Sequence, residues 1–202
     1  MQWYFEPACG TGRLMYALLR KGLPVCGLDL NPKAIAFCNA RLERHGYTAS
    51  AIVADMCDFD RNSFKGIFPA SRRKSGPVKV AFNTINSFRH VGSEAEARKH
   101  LESMADVVRP GGIYLLGVHL TPTKVPPSET ESWSARRGHL AINTHMWTID
   151  RNKKKRLERF GIRFDVHTPS DSFRINDELR LRSYTPAQMK NLIDASGKWE
   201  IV

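Results

Sequence analysis

Trp3-Tyr4-Phe5-Glu6-Pro7-Ala8-Cys9-Gly10-Thr11-Gly12-Arg13 opens the chain, and Leu28-Asp29-Leu30-Asn31 follows it. An apolar run leads into a turn of small residues, the turn opens a helical pattern, and a carboxylate closes the next apolar run. Small residues let the backbone approach a ligand closely, and an acid ending the second strand accepts from ribose hydroxyls. An α/β protein grips a nucleoside in this way. A dinucleotide-binding turn needs a third small residue for helix–strand packing, but Met15 stands at that position. That pattern also has no role for an acid before the glycines, where Glu6 stands. A phosphate loop would need Gly-Lys-Ser/Thr, and none follows.

Around this stretch the first half alternates strand and helix signals, which builds a parallel sheet. Residues 3–7 read as the first strand, 12–21 as the first helix and Val25 to Leu30 as the second strand. Asn31-Pro32 opens a helix running to about Arg44, with proline in its first turn. Ala51 to Ala54 reads as a third strand ending at Asp55, and Val78 to Phe82 as a fourth ending at Asn83. Ser93 caps a helix to Val108, Pro110-Gly111-Gly112 stops it, and Ile113 to His119 reads as the fifth strand. Beyond Leu120, Thr121 to Arg137 is rich in Pro, Ser, Thr and Glu and reads as a long loop. Three period-two runs follow, His139 to Ile149, Leu157 to His167 and Phe173 to Tyr184, which predict a three-stranded antiparallel meander. A helix then opens at Thr185-Pro186 and ends at Gly197, and Trp199 to Val202 begins a sixth strand.

The order Glu-x-x-x-Gly-x-Gly followed by a strand-end Asp resembles the class I S-adenosylmethionine-dependent methyltransferases. The helix-Arg-Pro-Gly-Gly-strand sequence before the fifth strand strengthens that resemblance. It implies a Rossmann-like α/β fold with a mostly parallel sheet and helices on both faces. The whole of 1–202 would be a single domain, and 121–184 an antiparallel meander inserted after the fifth strand, a substrate cap or a homodimer interface. S-adenosyl-L-methionine would be the cofactor. By the same resemblance Glu6, Ala8, Gly10 and Gly12 line its methionine side, with Ala8 in place of the commoner first glycine. Asp29 would accept from both ribose hydroxyls, with Leu30 or Asn31 beside the adenine. Asp55 would accept from the adenine amino group while Met56 packs on the ring; Asp58 is an alternative to Asp55. Each acid also has a plainer reading, Asp29 as a helix cap and Asp55 as a carboxylate that merely ends a strand.

Methyl transfer from a sulfonium is an in-line displacement, so the chain has mainly to hold donor and acceptor and exclude water. Asn83 ends the fourth strand, where the resemblance places a residue beside the transferring methyl. The stretch Asn83-Thr84-Ile85-Asn86-Ser87-Phe88-Arg89-His90 resembles the Asn-Ser-Phe segment of small-molecule enzymes and lacks the Asn/Asp-Pro-Pro-Tyr/Phe signature of base- and glutamine-modifying ones. His90 and His119 are candidate general bases, because imidazole titrates near neutrality; the competing reading of each is a structural or surface histidine. The meander carries Trp133, His139, His145, Trp147, Arg163, Arg174, Arg180 and Arg182. Arginines facing inward would suit a carboxylate or phosphate on the substrate, and arginines facing outward would keep an exposed sheet from aggregating.

A chain of 202 residues with 42% hydrophobic content can bury one core. Its longest apolar runs are too short to span a bilayer, and no charged-then-apolar leader opens it, so a cytoplasmic location is expected. Cys9, Cys26, Cys38 and Cys57 form no C-x-x-C pair and read as small buried residues, with neither a metal site nor disulfides expected. The net charge of +11 invites an acidic substrate or nucleic acid. Its densest basic cluster, Arg151 to Arg159, reads as a solvated hairpin turn without interleaved aromatics. The leading expectation is therefore transfer to an N or O acceptor on a small molecule. An RNA or protein methyltransferase is the alternative from charge. A degenerate cofactor-binding domain is the alternative from the abrupt ends, which read as a fragment lacking lid helices and a final strand.

Overall fold

Alternation along Trp3–Pro7 (β1) turns Phe5 to one face of a parallel sheet and Tyr4 to the other. In this computed structural model, which describes residues 2–68, 77–123 and 129–202, β1 is the middle strand. It is flanked by β2 (Val25–Asp29) and β3 (Ala51–Val53) on one side and by β4 (Val78–Asn83) and β5 (Val108–Leu116) on the other. The order is β3-β2-β1-β4-β5, and every pair is parallel. Phe5 packs with Phe59, Phe64, Met104 and Val107, its ring 5.3 Å from Phe64 and 5.5 Å from Phe59. The opposite face is covered by Met15 of α1 (Arg13–Leu19) and by Ile35, Cys38 and Leu42 of α2 (Pro32–Arg44). Met104 and Val107 belong to α3 (Glu94–Val107), so helices lie on both faces as the sequence predicts. Each large side chain buried in this way contributes about 2–3 kcal/mol.

Local signals set the helix starts. Asn31 Oδ1 accepts from the Lys33 and Ala34 N–H groups at 3.0 and 3.3 Å. Ser93 and Glu96 form a reciprocal capping box, and caps of this kind are worth about 1 kcal/mol. The short edge strand β3 is held by Asn39 of α2, whose amide both donates to and accepts from the Ala51 backbone. Of the boundaries that differ from expectation, two bear on the packing. α3 stops at Val107 and β5 begins at once, running through Pro110-Gly111-Gly112 instead of starting at Ile113. Gly111 is left-handed, and a Cβ on Gly112 would lie 2.8 Å from the Arg109 carbonyl oxygen and 2.9 Å from that of Lys79. The glycines thus serve the start of the strand as much as the end of the helix. α4 (Pro186–Ser196) follows its Thr185–Gln188 cap, but 199–202 form no strand; the Trp199 indole donates to the Leu101 carbonyl at 3.0 Å.

The chain divides into two compact units, Met1–Phe88 with Ser93–Val118 and Lys190–Val202, and Arg89–Gly92 with His119–Met189. The second is an antiparallel sheet in the order β6 (Thr130–Arg137), β7 (Leu140–Asn152), β8 (Leu157–His167) and β9 (Ser172–Arg182). It has four strands, because half of the expected loop is β6; residues 124–128 of that loop lie outside the described residues. The ladder to β7 is continuous, Thr130 opposite Trp147 through Arg137 opposite Leu140.

Arg89 anchors this unit, donating from Nε to the Arg182 carbonyl at 2.8 Å and pairing with the buried Glu158 carboxylate. Arg163 and Arg174 pair with Asp165 on the exposed side. Arg182 is buried and donates to the Tyr184 hydroxyl, and Arg180 is exposed. Trp133 is exposed, Trp147 lies against Gly161, His145 bonds Ser132, and His139 is exposed. Among the described residues, no helix is long and apolar enough to cross a membrane, no group of metal-binding side chains gathers, and all four cysteines are free and buried.

Candidate cofactor site

Strands that run parallel and feed helices on both faces leave a crevice at their carboxyl ends, and the opening motif lies there. The turn after β1 carries three left-handed sites at alternate positions, Ala8 (φ 57), Gly10 (φ 54) and Gly12 (φ 71). Gly12 sits on Cys38, whose Sγ would be 2.3 Å from a Cβ at that position. Gly27 of β2 faces the other side of the same packing: a Cβ there would lie 2.6 Å from Met15 Sδ and 2.9 Å from Cys9 Sγ. The close helix–strand contact that a third small residue on the helix would have provided is made by this strand glycine, which leaves room for Met15.

Asp29, at the end of β2, turns toward the bend. Its Oδ2 accepts the Gly10 N–H at 2.8 Å, and its Oδ1 accepts the Asn31 N–H at 2.9 Å. The helix cap is Asn31 and not Asp29. Leu30 beside it is 69% exposed.

Glu6 is the least ordinary group. It is 8% exposed, and its Oε2 is buried without a hydrogen-bond partner. Desolvation pushes its carboxyl up to about 8; the Met15 backbone N–H, at the first turn of α1, pulls in the other direction. Gly12 has no side chain to cap α1, and Glu6 takes over part of that task from a neighbouring strand.

Asn83, at the end of β4, is 3% exposed, and its Nδ2 is likewise buried without a partner. Glu6 and Asn83 line one cavity of about 310 Å³ together with Ala8, Gly10, Arg13 and Ile85. Thr84 and Ser87 of the stretch after β4 also line it, as do Pro7, Cys9, Thr11 and Leu14. Of these, Arg13, Leu14 and Ile85 carry no site role in the sequence reading; an isoleucine two residues after a strand-end asparagine, in an otherwise polar stretch, is the available signal for Ile85.

Asp55 and Met56 follow β3. Asp55 Oδ1 accepts the Cys57 N–H at 2.8 Å, and Met56 packs on the Phe5 core. Asp58 pairs with Lys99. His90 is exposed on the 3-10 turn Ser87–His90, its imidazole held below its ordinary value by desolvation and then by the Arg89 charge. His119 is exposed. Neither histidine lines the cavity.

Residues 5–112 match the Methyltransferase domain family. The chain belongs to that family. It is a class I S-adenosylmethionine-dependent methyltransferase. No curated protein matches its sequence, but solved structures share its fold. DesVI of Streptomyces venezuelae is 18% identical, with 97% of this chain covering 75% of that one at a TM-score of 0.76. The S-adenosylmethionine-bound CalS10 of Micromonospora echinaspora, an amino pentose methyltransferase of calicheamicin biosynthesis, is 19% identical over the same shares at 0.72. The sugar N-methyltransferase KedS8 of Streptoalloteichus is 15% identical, with 97% covering 71%, at 0.73.

In this methyltransferase the left-handed Ala8 is a conformational cost that glycine would remove. A Cβ in that conformation costs about 1–2 kcal/mol, partly offset by the greater unfolded-state freedom of glycine. Ala8→Gly is expected to stabilise the protein by about 0.5–1 kcal/mol in denaturant titrations. An unchanged or lower midpoint would show that the turn is not under this strain.

Proposed function

We propose that this methyltransferase transfers a methyl group to an amine nitrogen of a small molecule. The observation that carries this is the composition of the cavity at the ends of β1 and β4. Among the described residues its lining offers the Glu6 carboxyl, the Arg13 guanidinium, the Cys9 thiol, an asparagine amide, two threonines and a serine, but no histidine, lysine or tyrosine. With the carboxyl taken up by the cofactor's positive end, no general base is left for an acceptor. An amine loses its proton to solvent before it attacks, and the ammonium formed on alkylation needs no base during displacement. A hydroxyl acceptor does need one. The sugar and amino pentose enzymes among the solved structures are consistent with this class.

The donor set suits the cofactor. When bound, S-adenosylmethionine supplies a methyl group on a sulfonium centre. The unpartnered Glu6 Oε2 would hold the positive methionine end, and the Ala8-Gly10-Gly12 bend would let the backbone come close. Asp29 would accept from the ribose hydroxyls. Leu30, with Asn31 beside it, would cover one adenine face, Met56 would pack on the ring, and Asp55 would accept from its amino group. Asn83, with an unpartnered buried Nδ2, would orient the acceptor.

Radiolabelled methyl transfer tests the acceptor class. Paired small substrates differing only in an amino or hydroxyl group at one carbon, amino sugars first, are expected to be labelled only as amines. Equal labelling of the hydroxyl members would overturn the amine assignment.

A further inference from the structure

α3 meets the turn after β3 through two consecutive side chains. Lys99 Nζ reaches Asp58 Oδ1 at 2.8 Å on the surface. His100 is fully buried, with Nδ1 2.7 Å from the Met56 carbonyl oxygen and Nε2 2.9 Å from the Tyr114 hydroxyl of β5. A carbonyl only accepts, so Nδ1 carries the hydrogen. Nε2 of the neutral ring is then an acceptor, and Tyr114 donates to it. The Phe88 ring, edge-on at 5.3 Å, fixes the imidazole plane. Burial pushes His100 down to about 4, so this single neutral tautomer holds across the physiological range. A leucine would fill such a site without the desolvation cost of a buried imidazole, so the polar group has to be explained by what it holds.

What it holds is the backbone of one turn, and Tyr114 ties the imidazole in its place to the sheet. We propose that His100 is a positioning residue for the cofactor's adenine, setting the Asp55–Met56 turn through the Met56 carbonyl. This rests on the reading of Asp55 and Met56 as the adenine contacts. A displaced Met56 carbonyl moves Asp55 away from the amino group it would accept from, while the groups on β1 and β2 that face the ribose and the methionine end stay in place.

Calorimetry with S-adenosyl-L-homocysteine and with S-inosyl-L-homocysteine, which has a 6-oxo group in place of the 6-amino donor, separates these effects. Wild type is expected to prefer the adenosyl ligand. In His100→Leu the adenosyl Kd should rise about tenfold and the inosyl Kd less than about twofold, with KM for S-adenosylmethionine raised and kcat at saturation unchanged. His100→Asn, whose Nδ2 can stand where Nδ1 does, should restore adenosyl affinity to within about threefold. Tyr114→Phe, which keeps the ring and its packing, should weaken adenosyl binding alone by about threefold, and it carries the test if His100→Leu fails to fold. Equal losses for the two ligands, or none, would overturn the proposal. If wild type does not discriminate between the ligands, the adenine reading of Asp55 fails and the proposal with it. If wild type discriminates and His100→Leu discriminates as well, only the role of His100 is removed.

Discussion

Glu6→Gln should make the ligand-free protein more stable above neutral pH while weakening its hold on the cofactor. The Glu6 carboxyl lies with Oε2 buried and unpartnered, and burial raises it from 4.5 to about 8. A group whose folded value lies above its unfolded value contributes stability that is fully present below about pH 4.5 and lost as pH climbs through 8. The wild-type protein should therefore lose stability steadily across that window. Glutamine keeps an oxygen for the Met15 N–H but never ionises, so its curve should be flat there. At pH 8.5 the variant should be more stable by a few kcal/mol, a Tm difference of roughly 5–10 °C.

A cationic ligand reverses the preference, because an ammonium or sulfonium near Glu6 favours the carboxylate. Binding of S-adenosylmethionine at pH 7 should release close to one proton in wild type and none in Glu6→Gln. Titration in buffers of different ionisation heat reads this directly. Affinity in the variant should fall by about 100-fold or more, the cost of removing one partner of a buried charge pair. Identical proton release in the two proteins would separate Glu6 from the cofactor's positive end.

The second large effect belongs to Asp29, and there the conservative change should be no gentler than truncation. Both carboxylate oxygens already accept a backbone N–H, one from Gly10 and one from Asn31. In Asp29→Asn one of these oxygens becomes an NH2, so that a donor faces a donor. Asp29→Ala simply loses both bonds. Each variant should lose about 2 kcal/mol of stability, seen as a fall in Tm, and the asparagine variant should be at least as unstable as the alanine one. The ribose hydroxyls would be deprived of their acceptor too, so binding of S-adenosylhomocysteine should weaken by about 100-fold. An Asp29→Asn protein with wild-type Tm would contradict the two-acceptor arrangement. One with lowered Tm but full affinity would leave the bend intact and remove the ribose role.

The sequence was most legible where the signal is local. Asn31-Pro32 and the Ser93/Glu96 box announce their helices because a cap is chemistry within four residues. The strands β1, β2 and β4 stand out because a sheet covered on both faces demands apolar runs. β6 leaves no such signal, for the converse reason. All eight residues of Thr130–Arg137 are exposed, so no face demands apolar residues and no alternation is written into the chain. Its strand character comes from the ladder to β7 alone. Trp199 to Val202 failed in the other direction, reading as a strand while the indole was bonding to a helix carbonyl.

Residue types and spacing by themselves point to an α/β nucleoside-binding turn with its acids in order along the chain, and the likeness of that order to class I methyltransferases implies the class of cofactor. Side-chain period and turn chemistry are short-range properties, and a sulfonium needs few protein groups. Only the tertiary structure decided the states of those groups. It buried one oxygen of Glu6 without a partner, aimed both oxygens of Asp29 at backbone donors, moved the close packing contact from the helix to Gly27, and placed His100 under the Met56 carbonyl. Burial and hydrogen-bond partnership depend on chain segments up to about a hundred residues apart, and no local pattern encodes them.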